Sequence, residues 1–273
     1  MPIASAQVKS SILLAGLNAE GKTQVQEKFP TRDHTERMMK TFEANISSSK
    51  GIVEIERSDL KTPGQIEVPG DFSSSAFFIG ACLISENSEI KIKNVGINKT
   101  RKAFLDCLLD MNANIDLTNI RQLGNEEVAD LVIKSSDLLP AKIMEDIVPN
   151  LIDELPLFFL IASLIEGESE FNGLSELKHK ESDRLSIMIN NLQKLDVEVQ
   201  LNEDSLKIIG KKDRTFSDEV FDSHGDHRIA MTMLVAGLRS SEGLTVTNVE
   251  CINTSFPEFL DQAKTLGFSF KNG

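Results

Sequence analysis

Residues 178–185 read KHKESDRL, gathering Lys178, His179, Lys180 and Arg184 into one stretch of a chain whose formal net charge is −13. Downstream, Leu185, Met188, Ile189, Leu192 and Leu195 recur at spacings of three and four, which predicts an amphipathic helix opening near Ser182. Lys180 and Arg184 are then expected on one face of its first turn. Like charges at that spacing repel, and cations at a helix N-terminus oppose the macrodipole, at a local cost of roughly 0.3–1 kcal/mol. A bound anion would offset that cost. The other reading of the same octapeptide is a solvated helix start, with Glu181 and Asp183 neutralising their basic neighbours.

Other helix starts carry similar charge. GDHRIAM puts Arg228 in the first turn of an apolar helix, with Asp226 as an expected N-cap. NLIDELPLFF sets Asp153 and Glu154 just before a run too apolar for solvent, where one carboxylate either caps the helix or serves chemistry. ASAQVK offers Ser5 and Gln7 at a helix N-terminus, an anion cradle, and FPTRDHTERM adds Arg32. If successive helices point inward, their ends converge on one cleft. Arginine forks and helix termini would hold a substrate with several negative charges there, beside carboxylates able to move protons. No Gly-rich phosphate loop, HExxH or GxSxG occurs, so nucleoside triphosphate, zinc and serine-hydrolase readings lack support.

The elements that must position these residues form a repeat. ASAQVKSSILLAGL from Ala4, GDFSSSAFFIGACLI from Gly70, IDELPLFFLIASLIEG from Ile152 and GDHRIAMTMLVAGL from Gly225 share one form, small or polar residues and then an apolar helix. Each precedes a second, amphipathic helix, at TERMMKTFEAN, TRKAFLDCLLDMNA, SDRLSIMINNLQKL and SFPEFLDQAKTLG. Alternating segments follow, as in VEVQLNEDSLKII, where Asn202-Glu203-Asp204 supplies a turn. The unit is helix, strand, helix, strand pair, with the apolar helix expected in the interior. The first copy begins at its buried helix with no strand before it, and KTPGQIEVPGD punctuates the passage to the next copy. Residues 1–63 are therefore expected to be the last repeat of a domain that begins upstream, and residues 64–273 a domain of three repeats.

Composition narrows the classes. With 42 acidic against 29 basic side chains, broad contact with nucleic acid is not expected, whereas a local basic pocket is unaffected. Cys82, Cys107 and Cys251 are odd in number and far apart, which argues against a disulfide framework or zinc site and for buried packing in a reducing cytoplasm. The apolar runs FFLIASLI and MTMLVAGL are too short to span a bilayer, and SSILLAGL reads as a buried helix rather than a leader, so a soluble, cytoplasmic protein is expected.

ASAQVKSSILLAGL, TRDHTERM, KHKESDRL, GDHRIAM and SFPEF, in this order over the whole chain, resemble the 5-enolpyruvylshikimate-3-phosphate synthase family. The pair KESDRL and DHRIAM is the most specific part, and it favours the anion-binding reading of the octapeptide. The resemblance implies an α/β (α+β) fold of repeated βαβαββ units around buried helices, the enolpyruvyl transferase-like inverse α/β barrel. One full domain and the last unit of a second would be present. It implies transfer of the enolpyruvyl group of phosphoenolpyruvate to the 5-hydroxyl of shikimate 3-phosphate with release of phosphate. No cofactor and no metal are implied, the partners are those two small molecules, and the whole protein is expected to be a monomer. By motif position, Asp153 corresponds to the family's proton acceptor near the 5-hydroxyl, Lys180 to a contact of the same hydroxyl that shares the proton transfer, and Glu181 to the group that protonates and deprotonates C3. Arg184 and Arg228 correspond to phosphoenolpyruvate ligands. Ser5, Ala6, Gln7 and Arg32 correspond to the shikimate phosphate site, with Gln7 also facing phosphoenolpyruvate.

The family's amino-terminal Lys-Ser motif with a nearby arginine, and a second arginine that contacts phosphoenolpyruvate, have no counterparts here, and Thr254 stands where some relatives carry a lysine before FPE. A catalytically incompetent fragment that only binds anions is the competing expectation, because a cleft with one wall loses proximity and charge stabilisation together. The related transferase acting on UDP-N-acetylglucosamine lacks KESDRL. RNA 3′-phosphate cyclases share a related repeat but would show a less acidic surface.

Overall fold

The computed structural model describes residues 1 and 4–271. The first unit comprises α1 (Ala6–Gly16), β1 (Lys22–Gln26), α2 (His34–Thr41), β2 (Ile46–Ser49) and β3 (Ile52–Glu56), with an antiparallel sheet in the order β1-β3-β2. The second comprises α3 (Phe72–Ile84), β4 (Glu89–Gly96), α4 (Ala103–Asp110), β5 (Asn114–Leu123) and β6 (Glu126–Lys134), ordered β4-β6-β5. The third adds a short leading strand β7 (Lys142–Ile143) parallel to β8 (Gly167–Asn172), around α5 (Leu155–Ser163) and α6 (Arg184–Lys194). It closes with the hairpin of β9 (Glu198–Asn202) and β10 (Ser205–Gly210), whose turn places Glu203 at φ 52° within the segment the polar triplet marked. The fourth comprises β11 (Val220–Asp222), α7 (His227–Ala236), β12 (Thr245–Thr247) and α8 (Phe259–Thr265), with β11 and β12 parallel.

Two expectations about the repeat need correction. The fourth unit was expected to end in a strand pair, and none follows α8 among the described residues. Phe268 and Phe270 instead stack at 6.0 Å and pack against the core. All four apolar helices were expected in the interior, yet α1 buries only Lys9, Leu13 and Gly16 and exposes Val8 and Leu14. By contrast α5 is buried at every position, and α3 and α7 nearly so.

The reason lies in the neighbours. Helices α3, α5 and α7 pack on one another and share a large core in which Phe72, Phe104, Phe158, Phe171 and Phe159 make edge-to-face contacts at 4.9–6.5 Å. Helix α1 contributes to a separate small core of Leu13, Leu17, Val25, Met39, Ile46, Val53 and Ile55. Gly210, ending β10, lies so close to α5 that a Cβ there would sit 2.1 Å from the Ile165 carbonyl oxygen and 2.2 Å from that of Ala162. The strand therefore touches the helix backbone directly. Cys82 and Cys107 are buried, and burial pushes their thiols up to about 11 and about 12. Cys251, also expected to be buried, is instead partly exposed and donates to the Asn248 carbonyl.

Candidate active site

Helix α6 starts at Arg184, and Asp183 caps it by accepting from the Ser186 amide at 3.0 Å. Lys180 lies before the helix, at the end of a short 3₁₀ turn over 175–179, so it does not share a helical turn with Arg184 as the periodicity suggested. The Asp183 cap forces the backbone out of helical geometry between them. Arg184 is 1 % exposed and surrounded by carboxylates: Nε donates to Asp226 at 2.8 Å, Nη1 to Asp153 at 3.3 Å and Nη2 to Glu181 at 2.5 Å. Three acids on one fork outweigh the unfavourable helix end and make the buried charge tenable. Asp226 does cap α7, accepting from the Arg228 amide at 2.8 Å, and it also accepts from Ser182 Oγ at 3.0 Å. Burial works against its ionisation, but Arg184 and these donors hold it below the usual carboxylate range.

Neither acid of IDELP caps α5. Asp153 bridges two units, pairing with Arg32 Nη1 at 3.2 Å on one oxygen and Arg184 Nη1 at 3.3 Å on the other. Burial raises its pKa, yet the guanidiniums of Arg228, Arg32, Arg101 and Arg184 together overcome that and drive it far below the ordinary aspartate value. Glu154, next in sequence, behaves in the opposite way. It is 1 % exposed, accepts from Ser73 Oγ and from Arg101 Nη1 at 3.3 Å, and burial dominates, so its carboxyl is pushed up. Arg228 approaches Glu154 only to 3.9 Å, its Nε is buried without a partner, and its guanidinium lies 6.0 Å from the Phe77 ring centroid. It is a cation held loosely.

A cleft of about 280 Å³ brings Ser5, Ala6, Gln7 and Arg32 of the first unit against Ile152 and Lys180 of the third. Ser5 caps α1 by accepting from the Val8 amide. The loop carrying Arg32 is anchored by Lys9, 1 % exposed, which pairs with Glu36 at 2.7 Å and Glu27 at 3.1 Å, while Glu27 accepts from the Thr31 amide and hydroxyl. Asp33 accepts from Asn98 and Thr100, which ties that loop to the second unit. Lys180 has no ion-pair partner among the described residues. Glu181 is exposed at the rim. A larger hollow, about 810 Å³, lies at the C-terminal ends of α3 and α5, away from these groups.

The residues singled out by motif thus sit in two adjoining groups: Ser5, Ala6, Gln7, Arg32 and Lys180 along the cleft, and Asp153, Arg184, Glu181 and Asp226 in one ion-pair cluster, which Arg32 joins to the first. Arg228 stands beside Glu154 rather than in that cluster. Sequence reading missed Arg101, Ser73 and the inward role of Glu154. A signal existed for Arg101. Arg32, Arg101 and Arg184 all fall at or two residues before the second helix of their units, an equivalence visible once the repeats are aligned.

Comparison with known proteins bears on this arrangement. The family model described as EPSP synthase (3-phosphoshikimate 1-carboxyvinyltransferase) matches residues 1–263. The chain belongs to the EPSP synthase family. A relative from Geotalea uraniireducens named 3-phosphoshikimate 1-carboxyvinyltransferase is 46 % identical over 95 % of this chain and 60 % of its own length. One of the same name from Magnetococcus marinus is 44 % identical over 99 % of this chain and 61 % of its own. The solved EPSP synthase from Acinetobacter baumannii superposes with a TM-score of 0.90 at 40 % identity, covering 98 % of this chain and 62 % of that one. The enolpyruvyl transferase NikO from Streptomyces tendae, at 16 % identity and a TM-score of 0.76 over 94 % of this chain and 58 % of its own, shares the fold. The chain spans about 60 % of the length of the curated relatives it matches. No described helix is long and apolar enough to cross a membrane.

Proposed function

We propose that this chain supplies one wall and the crossing segment of an enolpyruvyl transferase that moves the enolpyruvyl group of phosphoenolpyruvate to the 5-hydroxyl of shikimate 3-phosphate. Residues 1–63 would close a domain that begins upstream, and residues 64–273 would form the other. The observation that carries the reading is the convergence of Arg32, Arg184 and Asp153, from the first and third units, beside the cleft lined by Ser5, Gln7 and Lys180. Cations and carboxylates converging beside one cleft are what an addition–elimination between two anions requires.

In this reading the substrate hydroxyl attacks C2 of phosphoenolpyruvate and gives up its proton to Asp153, assisted by Lys180, while Glu181 protonates C3. The resulting tetrahedral ketal phosphate loses a C3 proton back to Glu181, and the C2–O bond to phosphate breaks. Arg184 and Arg228 hold the phosphoenolpyruvate anion, and Ser5, Ala6, Gln7 and Arg32 the shikimate phosphate. The low pKa of Asp153 makes it a weak base in the empty cleft. Substrate anions that engage Arg32, Arg184 and Arg228 withdraw those cations from it and restore basicity when a proton must be taken. The same reading makes the whole protein cytoplasmic, monomeric and indifferent to nucleic acid, in keeping with its free thiols and net charge of −13.

Phosphate release from the two substrates by the purified chain tests the proposal. The 273-residue chain alone is expected to be weak or inactive, and restored turnover on addition of the amino-terminal part of a close relative would support the division of labour. No phosphate release even then, with both pieces folded, would refute the assignment.

A further inference from the structure

We infer that Glu154 is a positioning counter-ion for Arg228 that takes up a proton from solvent when an anion occupies that arginine. The inference rests on the proposed anion-binding role of Arg228. Glu154 lies where the N-terminal ends of three buried helices meet. It leads α5, Ser73 reaches it from α3, and Arg228 faces it from α7, with Arg101 arriving from the loop before α4. It caps no helix amide, although it occupies the N-cap position of α5. Both oxygens are spent on neighbouring units instead.

The two arginines do not hold it equally. Arg101 donates to one oxygen at 3.3 Å, whereas Arg228 stands 3.9 Å from the other, too far to hydrogen bond, with its Nε buried and unpartnered. Arg228 is thus kept in place by attraction, with donors left over for an anion, whereas Arg184 must exchange a carboxylate for one. In the ion-pair cluster beside the cleft, the guanidiniums of Arg32, Arg101, Arg184 and Arg228 face the carboxylates of Asp153, Glu154, Glu181 and Asp226, and Lys180 lines the cleft itself. A ligand carrying more negative charge than Lys180 offsets loads that cluster, and a proton is the natural compensation.

With phosphoenolpyruvate alone, Glu154 is the group best placed to accept it. Arg32, assigned to the other substrate, stays on Asp153, and Asp226 accepts from Arg184, Ser182 and the Arg228 amide. Glu181 is exposed at the rim, so solvent screens it. Glu154 is enclosed, faces Arg101, Arg228, Ser73 and the neighbouring Asp153, and already leans toward its neutral form. When a ligand anion engages Arg228, one of its two cationic supports is screened. Protonation adds one O–H bond to a carboxylate oxygen and changes nothing else.

Calorimetric titration of phosphoenolpyruvate into the purified chain, in buffers of different protonation enthalpy, counts protons bound with the ligand. The wild-type chain is expected to take up a sizeable fraction of a proton more than Glu154→Gln, which should still bind within a few-fold. Equal uptake with binding intact would overturn this inference alone. Failure of the wild-type chain to bind even when completed by the amino-terminal part of a relative, with both pieces folded, would overturn the proposed function and this inference with it. A ligand-free measurement separates the two. Infrared pH titration of wild type against Glu154→Gln should show a protonated carboxyl persisting above the ordinary glutamate range, displaced to still higher pH in Ser73→Ala. A band that vanishes in the ordinary range would overturn the inference.

Discussion

Helices α1 and α5 begin from the same repeat pattern and end in different circumstances. Both are apolar runs opened by small or polar residues, yet α5 is enclosed on every side and α1 leaves Val8 and Leu14 in solvent. What separates them is company, since α5 packs against α3 and α7 while α1 rests on the small sheet and second helix of its own unit. The first unit compensates with polar structure: Lys9, buried between Glu27 and Glu36, does part of what sister helices do for α5. An apolar helix is a request for neighbours, and its sequence does not say whether they are supplied.

The comparison can be broken by substitution. Phe158→Ala in α5 removes a ring in contact with Phe104 and Phe171 and should cost about 3–5 kcal/mol in urea unfolding. Lys9→Met strands Glu27 and Glu36 in the interior and should cost a comparable amount, about 3–5 kcal/mol. A cost under about 1 kcal/mol for Lys9→Met would show that the buried cluster is not what holds the first unit together. Arg228→Ala should weaken phosphoenolpyruvate binding at least tenfold, equivalent to about 1.4 kcal/mol, and lower thermal stability far less, because its guanidinium makes no side-chain hydrogen bond among the described residues and Glu154 can take a proton when that cation is lost. Equal losses of both would make it structural. Leu14→Ala, on the exposed face of α1, should fall within about 0.5 kcal/mol of the parent. A larger loss would mean that this face is covered in solution.

Acidity sharpens the contrast between Asp153 and Glu154. Asp153 has a folded pKa below its unfolded value, so its stabilisation is complete above that unfolded value, near 3.8, and disappears as pH falls through the folded one. Asp153→Asn should therefore flatten the stability profile at the acid end, measured by thermal unfolding from pH 5 downward. The same slope in the variant would place the acid sensitivity elsewhere, with Asp33 and Asp226, also lowered, as the next to substitute.

Most of this fold was legible because apolar helices and alternating strands repeat. The first three units follow the inferred order from the buried helix onward, and the Asn202-Glu203-Asp204 turn falls where its residues require. What could not be read depended on partners remote in sequence. The exposed side of α1, the absent strand pair after α8 and the break between Lys180 and Arg184 each reflect a contact or cap that periodicity does not encode. In the site, motif residues were recognisable by type, and Asp226 was legible as a cap. That Asp226 also grips Arg184, 42 positions away, and that Glu154 turns inward rather than capping α5, are properties of the packed helices.

The contact at Gly210 has a consequence for the chemistry. Because β10 meets α5 at its last carbonyls with no room for a methyl group, the hairpin acts as a backstop for the helix. From Ala162 to Glu154 the helix runs about 12 Å, enclosed at every position. Pushing the strand away by one carbon at Gly210 would be felt at the other end, where Asp153 and Glu154 must meet their arginines. The cleft is aimed from behind, and its alignment can be lost through a residue that no substrate ever reaches.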